Sequence, residues 1–87
     1  MKIEIPEIKE IIEFSLDREL DEFSMTADFY EEYMMDSLGA VALVVEVQKR
    51  YDVRIADDHV PHVRTGKQLE EIIRELVRLR EEQKVEA

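Results

Sequence analysis

The chain has 87 residues, 45% of them apolar and 39% charged, with 22 acids against 12 bases and a formal net charge of −10. This length and apolar share predict a single domain over residues 1–87 and exclude a wholly disordered chain. The acidity disfavours nucleic acid and anionic lipid surfaces as partners and favours basic proteins. No cysteine occurs, which excludes disulfides and a cysteine nucleophile.

Two glycines and two prolines in the whole chain favour helices over hairpins. After Pro6, the residues Ile8, Ile11, Ile12 and Leu16 recur at helical spacing between Glu7, Glu10, Glu13 and Asp17. That predicts an amphipathic first helix from about Pro6 to Leu20, with the proline tolerated in its first turn. The periodicity fails from Asp21 to Met35, where Phe23, Phe29, Tyr30 and Tyr33 stand among acids. This reads as a long ordered loop anchored by aromatics, and loops of that length usually carry function.

Asp36 is a good N-cap for a second helix, Ser37 to Tyr51, in which Leu43, Val44 and Val47 form a core stripe. Leu38, Val41 and Val45 fall on another stripe, which exceeds what one buried helix face needs and is expected to meet a partner. Val53 and Ile55 anchor a connector. A short third helix is expected from Asp57 or Asp58 to Val63, with Pro61 in its first turn. Thr65 and Gln68 make a capping-box pair for a last helix, which presents Leu69, Ile72, Ile73, Leu76 and Leu79 inward before residues 81–87 fray. The expected fold is all-α: a small four-helix bundle with a short third helix and a long loop between the first two helices.

The charge is uneven, net −9 over Met1–Asp36 and net −1 over Ser37–Ala87. At the boundary stands Asp36-Ser37-Leu38. Asp36 caps the helix and places the Ser37 hydroxyl in its exposed first turn. Free backbone N–H groups and the positive end of the helix dipole favour an anion there, so a phosphodiester on Ser37 is well tolerated. Three residues of this kind are by themselves ordinary capping residues.

The surroundings add to the motif. The sequence resembles the acyl carrier protein family, in the free-standing form of dissociated fatty-acid and polyketide synthases, from about Ile8 to Leu79. Ile8, Ile11, Ile12 and Leu16 look like its first-helix stripe, Phe23 and Phe29 like its loop anchors, and Glu31-Glu32 like its acidic approach. Leu43, Val44 and Val47 match its second-helix core, Tyr51 its closing aromatic, and Ile55-Ala56-Asp57-Asp58 its Ile-Pro-Asp-Asp/Glu run. The chain departs from the pattern where Tyr33 and Met34 replace a common Leu-Gly. Ala42, Gln48, Lys49 and Arg50 stand where fatty-acid carriers often have acids, which weakens an acid-led account of docking.

The resemblance implies a covalent 4'-phosphopantetheine on Ser37, flanked by Asp36 and Leu38, carrying acyl chains as thioesters. It implies as partners a phosphopantetheinyl transferase and acyltransferase and ketosynthase-type enzymes. Their docking is expected on Glu31, Glu32 and Glu46 and, more than in a typical acidic carrier, on the apolar stripe Leu38, Val41 and Val45. The protein is then a monomeric substrate of enzymes rather than an enzyme, since no base-and-orienter arrangement for Ser37 is visible. No metal site is expected: His59 and His62 beside Asp57 and Asp58 lack further ligands, and Asp52, Asp57 and Asp58 lack the spacing of a calcium loop. The start Met1 to Glu7 shows no apolar signal segment and no run approaches membrane-spanning length, so a cytoplasmic protein is expected. Two other readings stand beside this one: an acidic helical adaptor without a prosthetic group, and a peptidyl or D-alanyl carrier.

Overall fold

A computed structural model of the chain describes residues 3–56, 58 and 62–85. Among them four α-helices follow in order: α1 (Ile5–Leu16), α2 (Phe29–Glu32), α3 (Ser37–Tyr51) and α4 (Gly66–Val85). The short third helix expected between Asp57 and Val63 falls largely on residues outside those described.

Helix α1 stops four residues earlier than the periodicity implies. Asp17 adopts the left-handed conformation (φ 57°), and the Arg18 N–H then donates to the Glu13 carbonyl, closing the helix at Leu16. Aspartate visits this region more readily than most residues, so no glycine marks the end. Ile8, Ile11 and Ile12 are fully buried, and α1 lies antiparallel to α3. The Glu7 carboxylate accepts from the Tyr51 hydroxyl at one end, and the Ser15 carbonyl sits against Gly39 at the other.

The segment between α1 and α3 is ordered by its aromatics, as expected, but it also contains the one-turn α2. Asp28 caps that turn, its Oδ1 accepting from the N–H groups of Tyr30 (2.8 Å) and Glu31 (3.0 Å). Phe29 is fully buried, and Tyr33 stacks between it and Phe23 with ring centroids 6.5 and 6.0 Å away. The Tyr33 hydroxyl in turn accepts from the Ser24 N–H at 2.9 Å. The segment is anchored to the start of α4: the Phe29 N–H donates to the Arg64 carbonyl (2.6 Å) and the Lys67 N–H to the Met25 carbonyl (2.9 Å). Gly66 permits this approach, since a Cβ there would lie 2.8 Å from Met25 Sδ and 3.3 Å from Met25 Cα.

Helix α4 begins on the expected pair. Thr65 Oγ1 accepts from the Gln68 N–H (3.1 Å), while Gln68 Oε1 reaches one residue further back than a capping box requires, accepting from the Arg64 N–H (2.8 Å). Leu69, Ile73 and Val77, spaced by four, are buried; Ile72 and Leu76 are half-buried; Leu79 is 40% exposed. The inward stripe therefore runs through Val77 rather than Leu79. Residues 81–85, expected to fray, remain helical. Arg78 pairs with Glu75 and Glu82 there, at spacings that support a helix.

Candidate functional site

Asp36 adopts extended backbone geometry and α3 begins at the next residue. Its Oδ1 accepts from the Gly39 N–H at 2.9 Å, and its carbonyl accepts the first intrahelical bond, from the Ala40 N–H at 2.9 Å. The Asp36 carboxylate is thus a cap and not a base for Ser37. The N–H groups of Ser37 and Leu38 keep no such partner in the first turn of the helix, at the positive end of its dipole. Ser37 itself is exposed.

The chain has three serines. Ser15 is buried and its hydroxyl donates to the Ile11 carbonyl (2.8 Å); Ser24 shares a hydrogen bond with Thr26 Oγ1 (3.0 Å). Ser37 alone among them stands at a helix start with a hydroxyl free to react.

The approach to Ser37 is pinned from two sides. The Arg18 guanidinium donates to the Tyr33 carbonyl, and the Met35 N–H donates to the Phe29 carbonyl at 3.0 Å. Between them Met34 sits at φ 59°, a left-handed conformation that disfavours a side chain. It occupies the position where the resembled family commonly has glycine. Buried Met35 lies under Gly39, its Cγ 3.0 Å from where a Cβ would be.

Beyond Ser37, α3 divides as its two stripes imply. Leu43 and Val47 are buried and Val44 half-buried, whereas Leu38, Val41 and Val45 are 78%, 60% and 46% exposed. Glu31 and Glu32 are exposed on α2. Glu46 is different. It is buried, and its carboxylate accepts from Arg50 Nε at 2.6 Å, while Arg50 Nη2 reaches Glu10 of α1 at the same distance. Those carboxylates hold the guanidinium pKa above its ordinary value, Glu46 first. Glu46 is therefore part of the α1–α3 seam and does not share the exposed face of α3 with Leu38, Val41 and Val45, where it was expected.

Sequence reasoning missed Phe14, which is 58% exposed. Glu7, Glu10 and Phe14 share one strip of α1 (i, i+3, i+7), and the first two touch Tyr51 and Arg50 of α3. Phe14 continues that strip toward the start of α3, where Ser15 meets Gly39. The spacing was there to be read; the antiparallel pairing with α3 was not.

Among the described residues, no group of three or more histidine, aspartate or glutamate side chains is placed to hold a metal ion, and no helix is long and apolar enough to cross a membrane. His59 lies outside the described residues. A family model described as a phosphopantetheine attachment site matches residues 6–76, which spans α1, α2, α3 and the first half of α4. The match covers most of the 87 residues, and the chain belongs to that family of carrier domains, whose members bear 4'-phosphopantetheine covalently on a serine.

Proposed function

We propose that the protein is an acyl carrier of a polyketide or fatty-acid pathway and that Ser37 is its attachment site. The single observation that carries the assignment is the contrast among the three serines: one buried, one exposed in the loop but hydrogen-bonded to Thr26, and one exposed behind a cap at the start of a 15-residue helix. A transferase holding coenzyme A and Mg²⁺ would take the proton from Ser37 Oγ, which attacks the pyrophosphate. The new bond is Oγ–P, and adenosine 3',5'-bisphosphate leaves. The arm supplies a terminal thiol on which acyl groups ride as thioesters, a group the cysteine-free chain lacks. Tethering raises the effective concentration of the cargo at each enzyme in turn.

The chain's own residues present the hydroxyl and the surface around it. Asp36 fixes the first turn; Arg18 and Phe29 hold the segment leading into it. Leu38, Val41 and Val45 form the apolar part of the docking face, Phe14 extends it onto α1, and Glu31 and Glu32 steer basic partners such as the transferase, acyltransferases and ketosynthases. The protein acts as a cytoplasmic substrate of these enzymes and contributes no catalytic group.

Intact mass after incubation with a promiscuous phosphopantetheinyl transferase, coenzyme A and Mg²⁺ tests this. The wild type is expected to gain one phosphopantetheine, and Ser37→Ala none, with unchanged circular dichroism because the substitution removes no core contact. A modified Ser37→Ala variant places the attachment elsewhere. An unmodified wild type favours an acidic adaptor without a prosthetic group.

A further inference from the structure

Between α3 and the start of α4, beneath α2, lies an apolar cavity of about 10 Å³. That is close to the smallest space able to hold one water molecule, so no alkyl chain fits it as it stands. Its α3 wall is made by Ala40, Leu43 and Val44. Ala40 and Val44 follow Ser37 at i+3 and i+7, so the wall lies on a strip of α3 that begins at Ser37. A hydrocarbon tethered to Ser37 and folding back along α3 therefore meets this cavity.

The inner walls, Leu43, Ile55, Val63 and Leu69, are buried, whereas Tyr30 and Val44 are only half-buried and form the mouth. Val44 is fixed in the middle of a long helix. Tyr30 sits on the one-turn α2, half-buried against the core, and the outer face of its ring is covered by one cation. The Arg64 guanidinium carbon stands 4.8 Å from the Tyr30 ring centroid, and the same guanidinium grips Asp28 through Nε–Oδ2 (2.6 Å) and Nη2–Oδ1 (3.2 Å). Asp28 is the cap of the turn that carries Tyr30. Arg64 thus fastens both the ring and the turn beneath it.

We propose that Tyr30 gates this cavity with Arg64 as its latch, so that the pair determines whether a hydrocarbon chain linked through Ser37 is sheltered against α3 or left in solvent. The inference rests on the carrier reading. With the latch closed, linear chains stay outside. Swinging the ring outward joins the cavity to a slot the size of an aromatic ring, bounded by Val44 and Leu43.

The test loads wild type, Tyr30→Ala, Tyr30→Phe and Arg64→Gln with acetyl and octanoyl groups by supplying a promiscuous transferase with the corresponding acyl coenzyme A. Intact mass verifies loading, and the melting temperature of each acyl form is compared within each variant. The octanoyl form is expected to melt about 3–6 °C above the acetyl form in Tyr30→Ala and in Arg64→Gln, and within about 1 °C of it in the wild type and Tyr30→Phe. A merely structural role for Tyr30 or Arg64 lowers both acyl forms equally and leaves the chain-length difference unmoved. Arg64→Gln keeps the ring, so it decides the matter should Tyr30→Ala fold poorly. Equal octanoyl increments in all four proteins overturn the gate. Absence of any mass gain overturns the carrier reading instead.

Discussion

Met34 is the place where a single substitution is expected to stabilise this protein. It sits at φ 59°, where an L-residue with a side chain is disfavoured by about 1–2 kcal/mol, and it is 77% exposed, so its side chain contributes little burial. Met34→Gly relieves the strain. Against this stands the larger backbone entropy of glycine in the unfolded chain, about 0.4–1 kcal/mol. A net gain of about 0.5–1 kcal/mol remains, equivalent to a melting temperature about 2–8 °C higher for a domain of this size. Urea unfolding followed by circular dichroism measures it, with Glu71→Gly on the exposed face of α4 as the comparison; that change should cost about 1 kcal/mol. The sign is what matters, because most substitutions destabilise. If Met34→Gly lowers the urea midpoint as Glu71→Gly does, the left-handed conformation of residue 34 is not a source of strain.

Phe29→Ala removes a fully buried ring from the middle of the long inter-helix segment and should cost about 3–5 kcal/mol, read as a lower urea midpoint; an unchanged midpoint would place Phe29 outside the core. Val41→Asp should lower kcat/KM for phosphopantetheine transfer about 10- to 100-fold, since a buried interface aliphatic is worth about 1.5–3 kcal/mol. Glu32→Gln should lower it less than about 5-fold, and comparable losses would restore an acid-led account of docking. Asp28 has its carboxyl pKa held below the ordinary value, first by the hydrogen bond from Arg64. Its contribution to stability is therefore complete above the ordinary carboxylate pKa and lost as the pH falls through the lower folded-state value. Asp28→Asn should flatten the acid limb of the stability profile, and an unaltered limb would show the pair contributes nothing.

The bounds of α3 and its division into a core and an exposed stripe were legible because Asp36 and the spacing of apolar residues agree with the packing that followed. Elsewhere, tertiary partners decided. Glu46 looked like a surface acid because charge alone says so, but Arg50 supplies the partner that lets it be buried. The end of α1 was invisible because Asp17, rather than a glycine, takes the left-handed position. Helix α2 did carry a local sign, an Asp28-Phe29-Tyr30-Glu31 capping pattern, obscured by the aromatics and acids around it. Val77 outranks Leu79 in the core because buried positions on α4 recur at every fourth residue from Leu69. The exposed place of Ser37 at a helix start was readable, as was the Asp36 cap. The latch was not, because Asp28 and Arg64 stand 36 residues apart in the chain.

That separation bears on how the molecule comes to be folded. The segment between α1 and α3 finds its backbone acceptors and donors at Arg64 and Lys67, and its closest approach at Gly66. Until the start of α4 is in place, Phe29 has no Arg64 carbonyl to reach. Loop closure over such a distance comes after local helix formation, because entropy is spent before the distant contacts form. The turns of α3 need only local contacts, whereas the aromatic brace that holds the approach to Ser37 is completed only when the start of α4 docks against it.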